Sequence, residues 1–216
     1  MNLKILATTV AVMSVAPIAA QAVELDYVGA RVSTLGLGAE VGVEVNPLIT
    51  VRGIINKFDY SYDDTLDGVK YEGDLKLGSV GAQVDLKVFP GFYVTGGYYA
   101  NDNKLDLRGT PTGNTEIGDT TFTPSQIGTI TQNTKFSKGV PYLGLGVRQG
   151  IGPVELNLEA GAFMQGAAKV SLASNGSLAS DPTFMSELAK EQSRLEDELD
   201  DFKVYPALNV GLRMKF

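Results

Sequence analysis

The 216-residue chain has no cysteine, no histidine and no tryptophan. Without cysteine there is no disulfide framework and no thiolate chemistry. Without histidine the Ser-His-Asp and Cys-His triads are excluded, as are the usual zinc sites. No G-x-S-x-G nucleophile elbow occurs either. Long apolar runs are also missing: beyond the first 22 residues nothing approaches the roughly 20 continuous apolar residues of a spanning helix. If the chain crosses a bilayer it must do so as a closed barrel, because lipid satisfies no open sheet edge. Basic residues are in deficit, 18 against 25 acidic ones, a net charge of −7. That balance argues against nucleic acid or anionic headgroups as the main partner.

What is present begins with a leader. Lys4 supplies a charge, Ile5 to Ala20 an apolar run, and Ala20-Gln21-Ala22 a small-x-small cleavage site, so residues 1–22 read as a secretory signal peptide. The rest, 23–216, reads as one barrel domain. Short breaks at Asn46-Pro47, Phe89-Pro90-Gly91 and Gly150 to Pro153 alternate with long polar stretches near 61–72, 109–135 and 173–202. A further tight break falls near Ser33 to Gly36. Short and long connections in alternation predict eight strands near 25–33, 35–45, 48–60, 73–88, 92–108, 136–149, 154–170 and 203–216.

Most of these strands alternate with period two, one face apolar and one polar. The polar face carries charges of both signs: Arg31, Glu40, Glu44, Arg52, Asp85, Arg148, Glu155, Glu159 and Arg213. Such a set fits a paired interior better than scattered surface charge, which places the apolar face outward, in lipid. Inward glycines would make room for bulky Arg and Tyr across a narrow lumen. In the fourth strand the apolar parity changes after Leu77, predicting a bulge near Gly78-Ser79. Aromatics near strand ends (Phe89, Phe92, Tyr93 and Phe216 at one rim; Tyr60, Tyr62, Tyr98, Phe136 and Tyr205 toward the other) read as interfacial girdles.

The final strand sets Leu208, Val210, Leu212, Met214 and Phe216 on one face, opposite Asn209, Gly211, Arg213 and Lys215. A closing strand of this kind, ending on Phe, resembles the signal by which the outer-membrane barrel assembly machinery reads its substrates. With the alternation, it makes the chain similar to the small eight-stranded Gram-negative outer-membrane proteins of the OmpA, OmpX and OmpW-like group. The resemblance implies an all-β fold: an eight-stranded antiparallel transmembrane β-barrel, monomeric, in the lipid of the outer membrane, with its long loops outside. Barrel enzymes of that membrane (phospholipases, deacylases, palmitoyltransferases, omptin-like proteases) rely on a histidine this chain lacks.

Two loops carry structure of their own. Thr123-Pro124-Ser125-Gln126 predicts a capped helical turn. Asp181-Pro182 opens an amphipathic helix near 182–201, with Phe184, Leu188, Leu195, Leu199 and Phe202 as its stripe. That stripe is expected to pack on the rim or a neighbouring loop, or else to dock a partner of unknown identity. Asp63 to Asp74 partly matches a calcium loop, but Thr65 and Asp74 stand where an acidic residue and Glu are usual. An acidic surface loop is the better reading. The carboxylates of Glu40 and Glu44, and of Glu155 and Glu159, lie roughly 13 Å apart along their strands, too far for a glycosidase pair. They are expected to bridge the inward arginines. No cofactor or metal is expected. Two functions fit: a filled barrel with a structural or surface-interaction role, or a narrow channel for small solutes.

Overall fold

A computed structural model describes residues 24–66 and 68–216. The leader, and Asp67 of the suspected calcium loop, lie outside the described residues. The strands are β1 (Tyr27–Ser33), β2 (Gly36–Asn46), β3 (Ile49–Leu66), β4 (Val69–Phe89), β5 (Phe92–Asn101), β6 (Lys104–Pro111), β7 (Thr115–Ile117), β8 (Thr120–Phe122), β9 (Ile130–Lys135), β10 (Gly139–Ile151), β11 (Val154–Met164), β12 (Lys169–Ser174) and β13 (Val204–Lys215). Two helices interrupt them, α1 (Pro124–Ile127) and α2 (Pro182–Glu198), the second running into a 3-10 turn at Leu199–Lys203.

Eight strands close a ring in the order β4-β3-β2-β1-β13-β11-β10-β5, with β5 returning to β4. Every ring neighbour is antiparallel. Closure removes both edges, as a hydrocarbon environment demands. The outer surface carries a belt of exposed apolar side chains, among them Val32, Leu37, Val41, Val51, Val84, Leu145, Leu158, Val210 and Leu212. The alternate residues turn inward, so the all-β class, the strand count and the orientation of the two faces are as the sequence predicts.

Above the ring the barrel unrolls. Five of its strands continue past the mouth, and three of these are resumed after a short break. The pairing of β4 with β6 keeps the register of β4 with β5, and that of β6 with β9 keeps the register of β10 with β5. The result is an open sheet, β3-β4-β6-β9-β12, standing on one side of the mouth. The polar stretch near 61–72 is therefore the top of a long hairpin and not a loop. Asp63 pairs with Glu72, and Asp74 with Ser61, across this hairpin. The flanks of the suspected calcium loop are thus ladder strands rather than helices around an ion.

The expected bulge near Gly78-Ser79 is absent. Partners run without a shift from Leu66↔Val69 to Ile49↔Leu86. What changes there is the environment. Below Ser79 the outward residues Val80, Val84 and Leu86 belong to the apolar belt; above it the outward residues are Lys76, Asp74 and Glu72, and Leu75 and Leu77 turn to the inner side. Hydrophobicity changed phase because the strand leaves the apolar belt, while the backbone kept its own.

Candidate functional site: a charged lumen and an outer lobe

Inward parity on adjacent strands brings the charged residues to one level. Arg52 is 1% exposed and meets three carboxylates: Nε is 2.9 Å from Asp85, Nη1 3.3 Å from Glu40, and Nη2 pairs with Glu159. Arg31 reaches Glu40 at 3.2 Å and Glu159 at 3.9 Å. Arg213 Nε binds the other oxygen of Glu40, and Arg148 pairs with Asp85. Glu159 also accepts from the Tyr93 hydroxyl (2.7 Å), the Tyr142 hydroxyl (2.8 Å) and the Asn209 amide (3.3 Å). Buried charge is costly unless paired and fully hydrogen-bonded, and Glu159 is both.

Seven of the nine predicted charges thus form one network. The other two do not join it. Glu155 sits at the short-turn rim, 3.1 Å from Lys215, and Glu44 is exposed at the same rim. Both face inward by parity but stand two residues or fewer from a turn, so they are wetted from the open end. Tyrosines seated against inward glycines are as the sequence reading expects, and the one it misplaced is Tyr93. Tyr93 belongs to no girdle: it is 2% exposed, with Arg148 stacked over its ring at 3.9 Å. Tyr27, Tyr99 and Tyr142 are also buried in the lumen.

These rings are seated on glycine. Tyr27 faces Gly42, Tyr93 faces Gly146 and Tyr99 faces Gly81 as direct cross-strand partners. At each glycine an added Cβ would overlap the ring. Gly146→Val is expected to push Tyr93 off Glu159 and cost about 1–3 kcal/mol in urea unfolding, the range for overpacking. Gly53→Ala is the control; it faces outward with only Val41 nearby, at 3.7 Å, and its midpoint should hardly move.

Toward the long-loop end the lumen turns apolar. Leu35, Ile54, Tyr99, Val140, Tyr142, Phe163 and Ala207 pack into a plug, with Tyr99 edge-on to Phe163 at 4.9 Å. The space left beside it, lined by Ser79, Asn101 and Gln165 among others, is about 10 Å³, room for about one water. At the short-turn end a vestibule of about 190 Å³ opens instead, between Tyr27, Asp85, Tyr93, Arg148 and Arg213.

A second core lies in the lobe. Thr123 to Gln126 forms the expected capped turn, with Gln126 accepting from the Thr123 amide at 2.8 Å. Asp181 caps α2 by accepting from Thr183 and Phe184 amides at 2.9 and 3.1 Å. Phe184 is fully buried and joins Ile117, Phe122 and Ile127, with Leu188 against them. The stripe packs on the neighbouring loop through its first turns; Phe202, by contrast, is half exposed in the 3-10 turn. α2 also covers the β12 edge of the sheet, where Glu196 accepts from Val170 N at 3.0 Å and Gln192 from Leu172 N at 3.4 Å. Free edges invite pairing with other chains. This one is blunted.

The β7–β8 turn is clamped to α2. Lys190 lies 3.0 Å from Asp119, Arg194 pairs with the same carboxylate, and Glu187 accepts from the Asp119 amide at 2.7 Å. Hydrogen bonds from Lys190 and Arg194 hold the Asp119 carboxyl below the usual range, and Lys190 with the Asp119 amide does so for Glu187. Lowered carboxyls stabilise above the unfolded pKa, and that contribution is lost as pH falls through the folded one. Hydrogen exchange at the Asp119 amide should therefore accelerate as pH drops below about 4, beyond the intrinsic pH dependence, while amides of the ring stay protected.

No family model matches the sequence, and no curated protein does. Among solved structures, the chain is similar to CarO of Acinetobacter baumannii, at 22% identity over 89% of this chain and 98% of that one, with a TM-score of 0.60. It is equally similar to CarO2 of that species, at 24% identity over 89% and 100%, TM-score 0.60. Ail, the attachment invasion locus protein of Yersinia pestis, superposes more loosely, at 10% identity and a TM-score of 0.42 over 89% and 95%. The closed ring, its apolar belt and the two CarO likenesses agree: the chain has the fold of a small eight-stranded outer-membrane β-barrel.

Proposed function

We propose that the chain is a non-enzymatic protein of the Gram-negative outer membrane, a filled barrel that anchors and presents its lobe outside the cell. The observation that carries this reading is the stacking of two closures in one lumen, the arginine–carboxylate network and the aromatic plug. Eight strands enclose only enough room for side chains, and here side chains occupy it. With the lumen closed, the surface available to a partner is the lobe. Its long hairpin tip is acidic and carries Tyr60 and Tyr62 in the open. The outward row Leu208, Val210, Leu212, Met214 and Phe216 supplies what the assembly machinery would read, and the complete belt needs no second copy to close it.

The vestibule favours a second reading, a narrow channel for small solutes gated at Arg148. Arg148 is the one arginine of the network that is partly exposed, at 18% of its side chain. Planar-bilayer recording separates the two. Refolded protein, shown to be folded by its heat-dependent gel mobility, should give no discrete steps. Reproducible steps that change with Arg148→Gln would replace the filled barrel with the channel.

A further inference from the structure

The chain is acidic overall, yet its cations are not evenly spread. On the outward face of the open sheet, Lys76 faces Lys104, Lys104 faces Lys135 and Lys135 faces Lys169, each as a direct cross-strand partner. Neighbouring strands stand about 4.8 Å apart, and like charges directly opposite one another are destabilising. Here four of them form one row. Lys57, Lys70, Lys104, Lys190, Lys203 and Lys215 each pair with a carboxylate. Among the described residues, Lys76, Lys135 and Lys169 have no such partner, and outside the row only Lys87 and Lys138 share that condition. All three row members without a partner are exposed.

The two ends of the row differ. At the β4 end Asp59 faces Lys76, and Asp74 and Asp106 stand two residues further up on the same face. Asp102 lies 3.0 Å from Lys104. At the β9–β12 end the residues two further up are Asn133 and Ser171, both neutral. On α2, Glu196 is taken up by the Val170 amide at 3.0 Å. The uncompensated charge therefore lies on Lys135 and Lys169. Its height is fixed as well. The row shares the outward face of the apolar belt, four residues above Val80 on β4 and five after Met164, where β11 ends. Four residues span about 13 Å along a tilted strand, and lysine stems reach back toward an interface below them.

We propose that the outward foot of the lobe, centred on Lys135 and Lys169 with Lys104 beside them, binds the phosphorylated headgroup of a lipid in the leaflet around the barrel. A phosphate between the two ammonium groups replaces their repulsion with charge-assisted hydrogen bonds. Each lysine near a membrane surface contributes about tenfold or somewhat less to the affinity for an anionic headgroup. The acyl chains of the same lipid would lie on the belt beneath, against Leu143 and Met164. A dissolved anion has no such second contact, which favours a lipid as the occupant. The proposal rests on the reading of the chain as an outer-membrane barrel. It does not depend on whether the lumen conducts.

The test uses refolded protein in phosphatidylcholine nanodiscs, its lysines carried as carbon-13 dimethyl amines, which keep their charge. Replacing the lipid stepwise with phosphatidic acid should shift the Lys135 and Lys169 signals saturably, while Lys70 and Lys190 stay still. Shifts common to all exposed lysines, or none at these two, overturn the site. Millimolar inorganic phosphate in pure phosphatidylcholine discs should move neither signal; a response as large as the lipid's overturns the lipid assignment. Lys135→Gln with Lys169→Gln is the companion variant. It removes facing like charges from exposed positions, so it should fold at least as well as wild type. Its affinity for phosphatidic acid, read from the Lys104 signal, should fall about tenfold or more. Lys70→Gln with Lys190→Gln makes the same charge change and should leave that affinity at the wild-type value. Equal losses in the two variants would reduce the effect to net charge and overturn the proposal. Protein that does not co-elute with the discs overturns the outer-membrane reading and this one with it. An inserted barrel with silent lysines overturns this one alone.

Discussion

Glu159→Ala is expected to lower the stability of the refolded barrel by about 3–5 kcal/mol, the range for removing one partner of a buried ion pair. The substitution takes the carboxylate from Arg52 Nη2, which keeps only Thr95 Oγ1 at 3.5 Å, leaves the Tyr142 hydroxyl and the Asn209 amide without their acceptor, and leaves the Tyr93 hydroxyl to Asn157 alone. It also leaves four buried guanidiniums facing two carboxylates. Urea unfolding followed by circular dichroism and gel mobility measures the effect. Glu159→Gln, which keeps an acceptor for the hydroxyls but not the charge, should fall between the alanine variant and wild type. Glu155→Ala is the internal contrast. Its partner Lys215 is 43% exposed, and pairs of that kind contribute about 0–1 kcal/mol. A midpoint for Glu155→Ala as low as that for Glu159→Ala would mean that the network does not hold the barrel together.

That contrast marks where the sequence was legible and where it was not. Parity along a strand assigns a face, and seven of the nine charged residues assigned to the inside meet there. Depth is a different quantity. Glu155 and Glu159 have the same parity, yet one is wetted at the rim and the other has no exposed side-chain surface. The sequence held a depth signal in the turns: Pro153 stands two residues before Glu155, and Asn46-Pro47 just after Glu44. Tyr93 was misplaced for a related reason. Tyr93 lies near a turn, where an aromatic suggests a membrane interface, but its odd parity matches Thr95 and Tyr99 on the inner face. The facing glycine, Gly146, was the second signal, since a ring lies flat only where its neighbour has no side chain.

The lobe was legible in pieces but not as a unit. Caps at Thr123 and Asp181 rest on local chemistry and are read within a few residues. Continuation of β4 into the lobe was hidden because hydrophobicity reports solvent, and the solvent changes at Ser79. Register of β6 on β4 and of β9 on β6 is a long-range matter that no local pattern encodes.

Phe184→Ala is expected to unfold the lobe while the ring stays intact. The side chain is fully buried and sits edge-to-face with Phe122, ring centroids 5.0 Å apart at 84°. Truncating a buried Phe costs about 3–5 kcal/mol. The lobe core is a small cluster, Ile117, Phe122, Ile127 and Phe184 itself with Ile130, Leu178 and Leu188 against them, so a loss of that size is a large share of what holds it. None of these residues belongs to the plug, whose seven members lie in the ring or at its mouth. Limited proteolysis of the folded variant should therefore cut within 112–130 and 175–200, where wild type resists, and α2 amides should lose protection from exchange. Gel mobility and the urea midpoint of the ring should stay at wild-type values. If the ring is destabilised in step, the two cores are one cooperative unit and the lobe is part of the barrel's closure. If only the lobe opens, the variant becomes the tool for asking whether the lobe binds a partner, because it removes that surface from a barrel still folded.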